Sequence, residues 1–205
     1  RVDVPSDDQF HSVPVLDRDT ATSLSYVLVP REATDVFRFV RFVNPLEAAL
    51  PEGPADIYAG GDFLLTTPLH TVAPGGDAEL GLGVEEAIKV ARNTRFAENK
   101  GGMLGGDLNL EHEIIIELTS HLSKLAAVEV RERIPTVRDD EKGIQLQVLE
   151  VTPPWEPLKQ VRRPIEGGHR WCVKIQPGAK QELKVTYQVS IAAKNQLAGG
   201  NRREQ

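Results

Sequence analysis

The residues best placed to do chemistry are few and short in range. Glu111-His112-Glu113 sets two carboxylates around an imidazole, the donor types that hold a transition metal. In a strand, however, Glu111 and Glu113 share one face and His112 takes the other, so the triplet reads as the polar start of a surface strand. His11 follows Asp7 and Asp8, a set that could bind a cation and that also spells an ordinary acidic turn. Asp139-Asp140-Glu141 stands before Lys142-Gly143. A calcium loop needs oxygen ligands at alternate positions with glycine at the sixth; this run lacks that spacing and reads as a solvated hairpin turn. His70, His121 and His169 are far apart along the chain. Loop Asp and Glu residues would serve a hydrolase only if a cleft held two of them roughly 5–10 Å apart.

No G-x-S-x-G, H-E-x-x-H or P-loop pattern occurs. Gly81-Leu82-Gly83 lacks the third glycine and the helix of a dinucleotide site. The residue singled out for binding is Trp155. It sits in Pro153-Pro154-Trp155-Glu156-Pro157, where a semi-rigid loop can present an indole to a partner or a sugar ring; the competing reading folds it back as a lid on a sandwich edge. Trp171, beside Val173, reads as core. Cys172 is the only cysteine, which excludes an intrachain disulfide and a cysteine zinc site, and it reads as a structural thiol. No catalytic residue, cofactor or metal is expected, and the chain is read as non-enzymatic.

Composition narrows the partners. The chain has 205 residues and a formal net charge of -6. An acidic surface repels phosphate backbones and anionic membranes, so nucleic acid is not expected. The densest basic cluster, Lys159, Arg162 and Arg163, is short and lies among prolines. No apolar run approaches the ~18 residues of a membrane span. The opening residues, Arg1 to Pro5, lack an apolar signal-peptide core and look like the middle of a strand. The chain is therefore read as part of a longer protein, with cytoplasm or cell envelope left open as its compartment.

The elements that must position these residues are strands. Leu50–Arg92 consists of short apolar runs cut by Gly and Pro, the pattern of a β-meander. Gly60-Gly61-Asp62, between Ile57–Ala59 and Phe63–Leu65, is its strongest hairpin signal. Pro74-Gly75-Gly76 marks a second turn. Before these, Val2–Val4 and Val13–Leu16 read as short β pieces, Ser23–Val29 as a strand apolar on both faces, and Val36–Val43 as a strand closed by Asn44-Pro45. Asn93–Asn109, with two Gly-Gly pairs, reads as a long flexible connection. Beyond it Glu113–Leu118, Ala127–Ile134, Ile144–Val151, Arg170–Ile175 and Gln181–Ile191 alternate with period two, one face buried and one wet.

The order of these signals resembles the C-terminal domain of unknown function of mucoidy-inhibitor-A-like bacterial proteins. The residues that carry the likeness are Tyr26–Pro30, Val36–Asn44, Leu50–Pro54, Tyr58–Phe63, Pro74-Gly75, Leu80–Val84 and Val90–Arg92, with Trp171 and Tyr187 further on. Gly60-Gly61 departs from the usual Asp-Gly, and the 93–109 stretch is glycine-heavy. The resemblance implies a small N-terminal domain and a coiled coil ahead of this one, and it transfers no site residues.

The expected fold is all-β: a two-part antiparallel sandwich, with residues 1–92 as the first part, 93–109 as a connection, 110–192 as an Ig-like second part and 193–205 as a polar tail. The expected function is that of a structural or protein-interaction module, joined to other chains or to itself through strand edges. The alternative is a glycan-binding module of the cell envelope, which would need at least two exposed, coplanar aromatic rings.

Overall fold

A computed structural model of the chain describes residues 5–9, 11, 15–100, 106–138, 140–159 and 165–193. Within them lie twelve strands and no helix. These are β1 (Thr22–Leu28), β2 (Phe37–Val43), β3 (Gly53–Ala59), β4 (Asp62–Leu69), β5 (Asp77–Val84), β6 (Ile88–Lys100), β7 (Leu108–Ser120), β8 (Ala126–Arg133), β9 (Ile144–Thr152), β10 (Glu156–Pro157), β11 (Gly168–Ile175) and β12 (Lys180–Ile191). Two compact units form, residues 1–23 with 40–80 and residues 24–39 with 81–205, and their boundaries fall inside β1, β2 and β5.

The larger unit is an all-β sandwich. Its two sheets run β10-β11-β8-β1-β2-β5 and β6-β7-β12-β9. Period-two alternation sends Ile114, Ile116, Leu118, Leu183 and Val185 of one sheet, and Leu28, Val128, Val130 and Trp171 of the other, into a shared core at 2% exposure or less. Each such side chain contributes about 1.5–3 kcal/mol by leaving water. Trp171 also satisfies its polar atom there: Nε1–H donates to the Pro153 carbonyl at 2.7 Å. One pairing departs from the antiparallel expectation, since β1 and β8 run parallel, with Tyr26 opposite Val128.

The smaller unit holds the two-stranded sheet β3-β4. Among the described residues its buried apolar side chains are few: Val72, Ala78 and Leu80. Asn44, at 2% exposure, ties its loops. The side-chain amide donates to the carbonyls of Ala48, Val72 and Ala73 at 3.0–3.1 Å, and its oxygen accepts the Leu46 N–H at 3.0 Å.

Several expectations differ from what forms. Asn93–Asn109 is largely strand: β6 continues to Lys100 and β7 starts at Leu108, while 101–105 lie outside the described residues. Cross-strand pairing from Ile88–Ser120 to Lys100–Leu108 overrides the local polarity of the stretch. The sandwich does not begin at residue 110, because β1 and β6 supply strands to its sheets. Val148 shares the face of Leu146, opposite Tyr187, as its spacing implies, yet on this outer strand it stays 40% exposed. Just beyond it the β12 pairing skips a residue, Thr186 facing Glu150 and Tyr187 facing Val148, and this bulge at Leu149 reverses the alternation so that Val151 packs on the core. Val15 and Leu16 are exposed and form no strand. Val2–Val4, Val13, Arg162, Arg163, Asp139 and the tail from Lys194 lie outside the described residues.

Candidate functional site

Among the described residues, the most exposed pair of aromatic side chains sits on the β3–β4 hairpin. Its connection is two residues, Gly60 at φ 61° and Gly61 at φ 97°. Both central φ values are positive, which is the geometry that matches strand twist in a tight hairpin. A Cβ at either position meets nothing within 4 Å, so backbone conformation rather than space calls for glycine. Ala59 pairs with Asp62 and Tyr58 with Phe63, while Ile57 pairs with Leu65. Leu64 is therefore an extra, bulged residue, and direct pairing across the turn puts Phe63 on the same face as Tyr58. Their ring centroids are 5.6 Å apart at 68°, an edge-to-face contact.

Tyr58 is 61% exposed, Phe63 54% and Leu64 42%, so three large apolar side chains crowd one turn in contact with solvent. Below them Thr66 Oγ1 donates to Asp56 Oδ1 at 2.7 Å across the strands. Ile57 and Leu65, paired with each other, are half-buried. Turn geometry, bulge and ring contact fix the tip before any partner arrives.

The polar clusters resolve differently from their sequence reading. His112 lies mid-strand, not at a surface strand start, and is 8% exposed. It stacks on Tyr187 (4.9 Å, 8°) and leans on Phe96 (5.0 Å, 58°). Cross-strand register drives this, since Phe96, His112 and Tyr187 stand in one row. Burial pushes the imidazole pKa below its usual 6.5. Glu113 points to the opposite face, where it meets Arg95 at 3.3 Å and Lys184 at 3.0 Å. His11 Nε2 does reach Asp7 Oδ1 at 2.7 Å in an exposed pair, and this bond lowers the Asp7 pKa. Among the described residues, no three His, Cys, Asp or Glu side chains gather closely enough to hold a metal ion.

Trp155 is half-buried. Its ring stacks on His169 at 4.0 Å and 13°, and leans on Trp171 at 4.9 Å. His169 is itself oriented by a 3.0 Å bond to the Gly167 carbonyl. Cys172, read as a structural thiol, is exposed on the face of β11 opposite Trp171, with Sγ 3.6 Å from Glu156 Oε1. Partial desolvation raises its pKa, and the nearby Arg170 opposes that.

A cleft of about 430 Å³ opens beside Val29, Arg31, Glu32, Arg133, Leu158 and Ile165, with Glu132 at its wall. Glu132 is a fully buried carboxylate. One oxygen accepts from Arg92 Nε at 2.8 Å and the other from the Arg133 N–H at 3.0 Å. That pair bridges the two sheets of the sandwich. A buried carboxylate engaged on both oxygens ties the two sheets together.

Two of these arrangements were not foreseen. The Arg92–Glu132 pair lies 40 residues apart across two sheets, beyond any local pattern. The Tyr58–Phe63 tip did have a signal: one aromatic on each side of a Gly-Gly turn.

Twelve strands, a sandwich core and an exposed hairpin define an all-β, sandwich-like domain. The chain belongs to the family described as a domain of unknown function (DUF4139), whose model matches residues 1–193. No curated protein matches the chain.

Proposed function

We propose that this chain is a non-enzymatic protein-interaction module of a larger bacterial protein resembling mucoidy inhibitor A, and that it engages other chains through the β3–β4 hairpin and its own open strand edges. The observation that carries this reading is the exposed Tyr58, Phe63 and Leu64 on a turn whose conformation is already fixed. Rigid aromatics at an exposed tip give contact area at little cost in conformational entropy. Other edges are less inviting. The outer strand β6 carries Lys89 and Arg95, and β9 is bulged, two devices that discourage strand addition.

The glycan alternative wants two coplanar exposed rings. Tyr58 and Phe63 meet at 68°, and Trp155 is stacked on His169, so it draws less support. Cross-linking mass spectrometry on the parent protein tests the interaction reading, together with light scattering. Intermolecular cross-links within residues 53–69 are the expected result. Absence of cross-links from residues 53–69 to any other chain, its own copies or a different protein, would overturn it.

A further inference from the structure

Charge is distributed unevenly along this chain, and the hairpin lies where the imbalance is greatest. Between residues 42 and 88 there is no Lys or Arg, while Glu47, Glu52, Asp56, Asp62, Asp77, Glu79, Glu85 and Glu86 are all acidic. These are eight of the 30 acids and none of the 24 bases. The remaining 22 acids and 24 bases nearly balance, so the whole negative charge of the protein belongs to this segment. Arg41, just before it, is taken by Glu79. Glu52, Asp56 and Asp62 are exposed on or beside the hairpin that presents Tyr58 and Phe63.

We infer that the hairpin docks a lysine- or arginine-rich protein segment that also carries apolar side chains. This rests on the interaction reading above and adds the partner's chemistry. Apolar groups cover Tyr58, Phe63 and Leu64, and cations meet the flanking carboxylates. A cation over the Tyr58 face gains further from the ring quadrupole. A second copy bringing the same face is disfavoured, because acid would meet acid. Anionic lipid and nucleic acid are repelled for the same reason.

The test uses the full chain and three fluorescein-labelled twelve-residue peptides, alternating Lys-Leu, Lys-Ser and Glu-Leu, followed by anisotropy at about 0.15 M salt, where distant charges are screened. The Lys-Leu peptide should bind, and the other two should bind at least about tenfold more weakly, one decade being ~1.4 kcal/mol. Tyr58→Ser with Phe63→Ser, and separately Asp56→Asn with Asp62→Asn, should each weaken Lys-Leu binding by a similar factor. Circular dichroism melts establish that both variants remain folded. Equal binding of Lys-Ser and Lys-Leu would mean a diffuse charge effect and would overturn the inference. So would indifference to both double variants, capture by phosphatidylcholine vesicles in place of peptide, or self-association that vanishes with Tyr58→Ser and Phe63→Ser. If the peptide fails while cross-links at residues 53–69 persist in the parent protein, the basic partner is wrong and the interaction reading stands. If both fail, both are wrong.

Discussion

The two units spend their apolar residues in opposite ways. The sandwich of residues 24–39 and 81–205 buries Ile114, Leu118, Val130, Trp171 and Leu183 almost completely and pairs its buried Glu132 with Arg92. The smaller unit buries few large apolar side chains, relies on Asn44 to join its loops, and leaves Tyr58 and Phe63 in water. The sandwich leaves a ring exposed as well, Phe37 at 44%, but the smaller unit holds two in contact on a preset turn. Such a pair is surface to give to a partner.

Breaking the inner charge pair should show the largest effect. Glu132→Ala leaves the Arg92 guanidinium, 8% exposed, without its carboxylate, and should cost about 3–5 kcal/mol in urea denaturation. The double variant Arg92→Met with Glu132→Leu should recover most of that loss. Asn44→Ala should cost about 1–3 kcal/mol by removing the side-chain bonds that join these loops, with lost hydrogen-exchange protection confined to residues 40–80. A loss spread equally over β7 and β12 would erase the distinction between the units.

His112 sharpens the comparison through pH. Burial holds its folded-state pKa below 6.5, while the unfolded chain protonates at the ordinary value. Between the two values the unfolded state binds more protons, so stability rises with pH there. The contribution is complete above about 6.5 and is lost as pH falls through the folded value. His112→Phe should flatten the part of the acid-side slope that this residue supplies, read from denaturation midpoints across pH 5–7. Smallest of all should be the stability cost of Tyr58→Ser with Phe63→Ser, within about 0.5 kcal/mol apiece, since both rings are already exposed.

Much of the sandwich was legible because period two survives in the residues themselves. Leu183, Val185, Tyr187 and Ile191 alternate inward as their order implies. The hairpin was legible too, because Gly60-Gly61 takes without strain the positive φ angles that a two-residue turn needs. What stayed hidden depends on neighbours from elsewhere in the chain. Asn93–Lys100 looks like a loop until β7 pairs with it. His112 looks like a surface donor until Phe96 and Tyr187 close on its ring. Trp155 drew notice for its prolines, but His169 and Trp171, which receive it, lie 14 and 16 residues away.

Hydrogen exchange of the full chain, with and without the Lys-Leu peptide, tests the division of labour most directly. Amides of residues 53–69 should gain protection on binding, and those of β7, β8, β11 and β12 should not change. Protection gained along β6 or β9, with the hairpin unaffected, would place the contact on the sandwich and contradict the account.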